Sequence, residues 1–246
     1  MKRLIYLALI LGCFSAPAFA AWTLTNDAQT TADSVTFSSV LTNPSIIIAV
    51  CRARFSNSNT GASDSAGNVY VDIGLGGYDT GIGTLNRSFL RVVIANNTHT
   101  TANDVITCDN DDGTTWASAT EFTGGGSFVD GVGPATGLIA AGGGANALVF
   151  PSFSTCNNGD LIFAIFLPVA GSSFTAGTSP VVYTLTPAPI VILINEYAIQ
   201  VTHGSIAPTL GYSGGSVLWG GVAFALSNSP FPCGGGRLRG QIRNSQ

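Results

Sequence analysis

Glu121 and Glu196 are the only two glutamates in this 246-residue chain, and each stands directly before an aromatic residue, Phe122 and Tyr197. Two carboxylates held about 5 Å apart across a cleft are the apparatus of a retaining glycoside hydrolase. That gives one enzymatic reading, with Glu121 and Glu196 as the acid and the nucleophile. The plainer reading makes each an ordinary strand residue, hydrogen-bonded to a nearby Ser, Thr or Tyr. His99 and His203 sit in polar, loop-like surroundings without the His-x-x-x-His spacing of a metal site. A Ser-His-Asp triad needs no sequence adjacency, but no Gly-x-Ser-x-Gly elbow supports one. The expectation is therefore a non-enzyme, with no catalytic residue, no metal and no cofactor.

Asp64-Ser65-Ala66-Gly67-Asn68-Val69-Tyr70 reads as a structural turn built on Asp64, Gly67 and Asn68 and running into a strand. Asp64 is expected to accept N–H groups two residues on, and Gly67 to adopt positive φ at no steric cost. Asp64 and Asn68 as Ca²⁺ ligands fall short of the six to eight oxygens that ion takes. Asp109-Asn110-Asp111-Asp112 is either an acidic hairpin tip or a sheet-end Ca²⁺ loop. Most aromatics on strands belong to the core. Tyr78 and Tyr212, both beside loop glycines, are the candidate ligand-binding residues for stacking on a sugar.

These groups need a framework, and the cysteines suggest one. Met1 to Ala20 reads as a secretory signal: Lys2 and Arg3, an apolar run from Leu4 to Leu11, then Ala18-Phe19-Ala20. The run is too short to span a bilayer. Cys51, Cys108, Cys156 and Cys233 remain after it and imply two disulfides with three possible pairings. Cys51 with Cys108 and Cys156 with Cys233 is the favoured set. Removal of the signal leaves seven arginines, no lysine and 13 acidic residues. Arg237, Arg239 and Arg243 lie in the last stretch, so the body before it is strongly acidic. Such a body repels nucleic acid and anionic lipid.

Strand signals recur along the chain, and no amphipathic helix does. Ile46 to Val50 and Leu161 to Leu167 are apolar at every position and should be central strands. The first is expected to leave the core at Arg52 and Arg54. Residues 124–147 form a small-residue segment with two triple-glycine runs. Gly is high at 31 and charged residues low at 9%, which fits an all-β fold with many turns. The fold class expected is all-β, a two-sheet antiparallel sandwich of about ten strands, jelly-roll or immunoglobulin-like. The domains are residues 1–20 as signal, 21–229 as one sandwich domain, and 230–246 as a flexible Gly/Arg-rich tail.

The Asp64 to Tyr70 motif, the apolar strand before it, the two Glu-aromatic pairs and the closing strand Trp219 to Leu226 together resemble bacterial and phage-encoded surface or virion β-sandwich proteins. The resemblance spans about Ser34 to Ser227. It implies a surface-displayed structural or binding module, mostly of unassigned activity. The expected function is a secreted, non-enzymatic structural or adhesive surface protein, self-assembling through its basic tail. The alternative is a carbohydrate-binding module on a cell or virion surface. The partners expected are further copies of the chain or a surface glycan, with no nucleic acid and no membrane insertion.

Overall fold

The computed structural model describes residues 21–54, 61–73, 78–79, 88–109, 115–125, 128–135, 147–168, 173–186, 193–213 and 219–227. Nineteen strands and no helix occur among them, well above the ten expected. The first nine are β1 (Thr23–Thr30), β2 (Ser34–Thr36), β3 (Ser45–Arg54), β4 (Gly61–Asp64), β5 (Tyr70–Asp72), β6 (Tyr78–Asp79), β7 (Ser88–Asn97), β8 (Val105–Asp109) and β9 (Thr115–Thr123). There follow β10 (Phe128–Ala135), β11 (Ala147–Val149), β12 (Phe153–Ser154), β13 (Asp160–Pro168), β14 (Phe174–Thr175), β15 (Thr184–Leu185), β16 (Ile194–Gln200), β17 (Ser205–Ile206), β18 (Thr209–Tyr212) and β19 (Trp219–Ser227). The signal and the tail lie outside the described residues.

The excess of strands has one cause: the architecture occurs twice. One principal sheet runs β1-β9-β3-β7-β5, and the other runs β10-β19-β13-β16-β15. Each has a three-stranded companion, β2-β8-β4 for the first and β11-β18-β14 for the second. Strand for strand the two paths are the same, and both are the interleaved order of a jelly roll. β6 and the β12-β17 ribbon are additions to it. Finer details repeat as well. β1 carries a bulge between Leu24 and Asn26 opposite Phe122, and β10 carries one between Val129 and Gly131 opposite Leu226. Phe37 N–H donates to the Asp104 carbonyl, and Phe150 N–H donates to that of Pro208. Ile73 N–H bonds Val92, and Thr186 N–H bonds Asn195.

The two principal sheets pack face to face. Ile46, Ile48 and Val50 of β3 meet Leu161, Phe163 and Ile165 of β13 in a shared core. The alternate residues point outward, yet they are buried too. Ile47, Ala49 and Cys51 are covered by Val35, Phe37, Ile106 and Cys108 from the first companion sheet. Ala164 and Phe166 are covered by Leu148, Phe150 and Leu210 from the second. A strand buried on both faces has no polar side, which is why these runs are apolar without alternation. β3 does not leave the core at Arg52. That residue is 7% exposed and its guanidinium stacks over Trp116, 4.2 Å from the ring centroid.

Cys51 and Cys108 are joined, which ties β3 to β8. By strand register, the equivalent positions of the second roll are Phe166 and Tyr212. There, aromatic packing with Phe150, Trp219 and Phe174 does the work of the cross-link. Cys156 is also disulfide-bonded. Cys233, its expected partner, lies outside the described residues.

Candidate functional site

The Asp64 turn forms as a clamp. One carboxylate oxygen of Asp64 accepts the Asn68 N–H at 2.9 Å. The other accepts Asn68 Nδ2 at 2.8 Å and the Tyr70 hydroxyl at 2.9 Å. The reach is therefore four residues rather than the two expected, because Gly67, at φ +84°, lengthens the turn by folding back under Asp64. A second carboxylate, which the sequence reading did not single out, holds the other side. Asp104 is fully buried and accepts the Ser65 hydroxyl at 2.7 Å and the Ala66 N–H at 2.9 Å. Burial raises the Asp104 carboxyl above its ordinary value; the Ser65 bond opposes this and the charge of Asp64 adds to it. Burial first, and then Asp64, push the Tyr70 hydroxyl well above the usual phenol range.

Beside this clamp is an open depression of about 260 Å³. Gly67, Asn68 and Val69 form one wall, and Asn96, Thr98 and His99 from the end of β7 form the other. Val69 is 77% exposed. Asn68 Oδ1 is buried and has no hydrogen-bond partner among the described residues.

The two glutamates are not brought together. Side chains alternate along a strand, so the residue after each glutamate faces the opposite way. Phe122 and Tyr197 turn into the shared core and meet edge to face, 5.0 Å between centroids. Glu121 and Glu196 therefore point to opposite outer faces of the sandwich. Glu121 pairs with Ile47 in the first sheet, and Glu196 pairs with Ala164 in the second.

Each is an internal latch. Glu121 is fully buried and accepts four donors: Thr42 N–H at 2.8 Å and Ser45 Oγ on one oxygen, Asn26 Nδ2 at 2.6 Å and Thr25 Oγ1 at 2.9 Å on the other. The bulge in β1 turns both Thr25 and Asn26 toward it. Glu196 is equally buried but accepts only the Gly177 N–H, at 2.9 Å. Its other oxygen and the nearby buried Tyr183 hydroxyl have no partner among the described residues. Burial pushes the Glu196 carboxyl up to about 8, with the Gly177 bond opposing.

Of the remaining candidates, His99 borders the depression and the other described ones stand apart from it. Tyr78 lies on β6, opposite Leu90, and its side chain is outside the described residues. Tyr212 is half-buried, with its ring stacked on Phe174 at 5.2 Å. His99 and His203 are exposed, and the His203 ring bonds Asn158. Asp109 ends β8, but residues 110–114 lie outside the described set. Among the described residues, no three His, Cys, Asp or Glu are grouped as a metal site would need. No helix among them is long and apolar enough to cross a membrane, and the disulfide is consistent with an extracellular protein. Searches against family models, curated proteins and solved structures found no match to this chain.

Proposed function

We propose that the chain is a secreted, non-enzymatic structural or adhesive surface protein. One observation carries this reading. The two glutamates, the best catalytic candidates in the sequence, act as latches on opposite outer faces of a doubly covered sandwich. Their polar atoms hold loops in place rather than facing a cleft. The duplicated roll, with both faces of both principal sheets covered, suits a rigid building block. Self-association runs through the three tail arginines and the acidic body of a neighbouring copy. Light scattering on the mature chain, non-reduced, at low and high salt, tests this with the residues after Cys233 present and deleted. Large particles that shrink with salt and with the deletion are expected. A monomer under every condition overturns self-association. A glycan partner is favoured by one feature, the depression beside Asn68.

A further inference from the structure

From the comparison of the two rolls, we infer that the depression at Asn68, Asn96 and Thr98 is a binding site for an uncharged sugar unit. This rests on the glycan-partner reading and assigns it a place. In the ladders of β5 with β7 and of β15 with β16, Tyr70 stands opposite Ala95 and Thr184 opposite Tyr197, which brings Tyr183, one residue earlier, level with Ala198. Counting from these pairs, Asn68, Asn96 and Thr98 correspond to Val181, Ile199 and Val201. The exposed Val69 corresponds to Val182, and both are 77% exposed. The second roll thus fills these three positions with aliphatic residues, at the same strand end and in a turn one residue longer, Ala176 to Tyr183 against Asp64 to Tyr70. Folding does not require polarity at Asn96 and Thr98, whereas the Asn68 Nδ2 group serves the Asp64 clamp; the Asn96 amide, the Thr98 hydroxyl and the spare Asn68 Oδ1 answer to something else.

The chemistry of the wall narrows that to a class. Among the described residues no Asp, Glu, Lys or Arg lines the depression, and His99 is its one ionisable lining side chain, so no fixed charge there selects an ion. Asn68 is held by two bonds to Asp64, and its Oδ1 is left as a fixed, buried acceptor. Leaving such an acceptor unmade is costly, and a ligand hydroxyl that reaches it recovers the loss. Val69 and Val71 supply an apolar floor for the C–H face of a ring. Hydroxyls around an apolar face, without charge, describe a neutral pyranose.

The test is titration of the full mature chain with neutral monosaccharides (glucose, galactose, mannose, fucose and the two N-acetylhexosamines), with glucuronate as the charged control. Saturable binding of a neutral sugar is expected, weakened at least tenfold by Asn68→Val and by Thr98→Val. These substitutions copy the other roll. Should Asn68→Val unfold, Thr98→Val and Asn96→Ile at exposed positions carry the comparison. Neutral-sugar binding that survives all three substitutions overturns this site while leaving a glycan partner in place. No binding of any sugar at millimolar concentration overturns both. Neither outcome touches self-association, which is read by particle size.

Discussion

Tyr70 and Tyr183 occupy equivalent positions in the two rolls, yet each lies against a carboxyl group carried by a different strand. Asp64, at the end of β4, takes the Tyr70 hydroxyl directly. In the second roll the residue matching Asp64 is Ala176, and the carboxyl comes instead from Glu196 on β16, where the first roll has Val93. The charge of Glu196 is felt at Tyr183 after the effect of burial. The same need, a polar group beside a buried phenol and a turn N–H, is met from two directions.

That exchange makes stability depend on pH. The Glu196 carboxyl sits at about 8 in the folded chain against an ordinary 4.5. The folded state holds this proton more tightly than the unfolded one. Its stabilising effect is complete below about pH 4.5 and is lost as pH rises through 8. Glu196→Gln removes the dependence. Urea unfolding of both proteins from pH 4 to 9 should show the variant gaining on the wild type by up to roughly 5 kcal/mol across that window. A difference that stays flat with pH would falsify the assignment. Carbon-13 glutamate labelling gives only two resonances to follow, and the variant identifies one.

Replacing Glu121 is expected to cost stability. Glu121→Ala leaves four donors facing an apolar methyl and should cost about 3–5 kcal/mol, near the upper end for a single substitution. Glu121→Gln, which sets a donor among donors, should cost less but still lower the midpoint. Denaturant titration at neutral pH measures both. Losses within experimental error would mean that the latch is not holding the β2–β3 connection.

The Cys51–Cys108 bond closes a segment with a sequence separation of 57. Constraint of the unfolded chain by a loop of that size is worth about 4 kcal/mol. The double substitution of Cys51 and Cys108 by Ala should lower stability by about that amount. Placing Phe at 51 and Tyr at 108, as in the second roll, should recover little, because Phe37 matches Phe150 but Trp219 has only Thr115 as its counterpart. Comparing the unfolding midpoints of these two variants decides the point.

Gly221 tests the equivalence of the rolls at one atom. Its counterpart beside Cys51 is Ala117. A Cβ at Gly221 would lie 2.0 Å from the Ile165 carbonyl oxygen and 3.0 Å from the Phe150 ring. Gly221→Ala should therefore destabilise by about 1–3 kcal/mol through overpacking. Thermal unfolding reads it, and a neutral result would show that the Ile165 backbone as well as the Phe150 ring yields freely.

The central strands were legible because burial on both faces leaves an unbroken apolar run, as at Ile46 to Val50 and Leu161 to Leu167. The Gly67 turn was legible from the turn residues around it, whereas the Cys51–Cys108 bond, with a sequence separation of 57, was one of three pairings the cysteines allowed. The duplication was not legible. Its traces are Val69-Tyr70 against Val182-Tyr183, 113 residues apart, and Ala95 against Ala198, 103 apart. Insertions shift the period between them, and the other equivalent positions hold different chemistry, such as Cys51 against Phe166. The separation of Glu121 from Glu196 was hidden too. It depends on which sheet each strand joins, and no local pattern records that.

Only four residues separate Thr123 at the end of the first roll from Phe128 at the start of the second. So short a tether holds the two at a high effective concentration, and the seam between them never has to form by chance encounter. It can accept a lopsided contact. Asn195 donates to Ser118 across the seam at 2.6 Å, while the mirror-related positions, Val92 and Val222, are both apolar core. A homodimer would be obliged to bury that polar pair twice. One gene encoding both halves lets each side of the seam change alone.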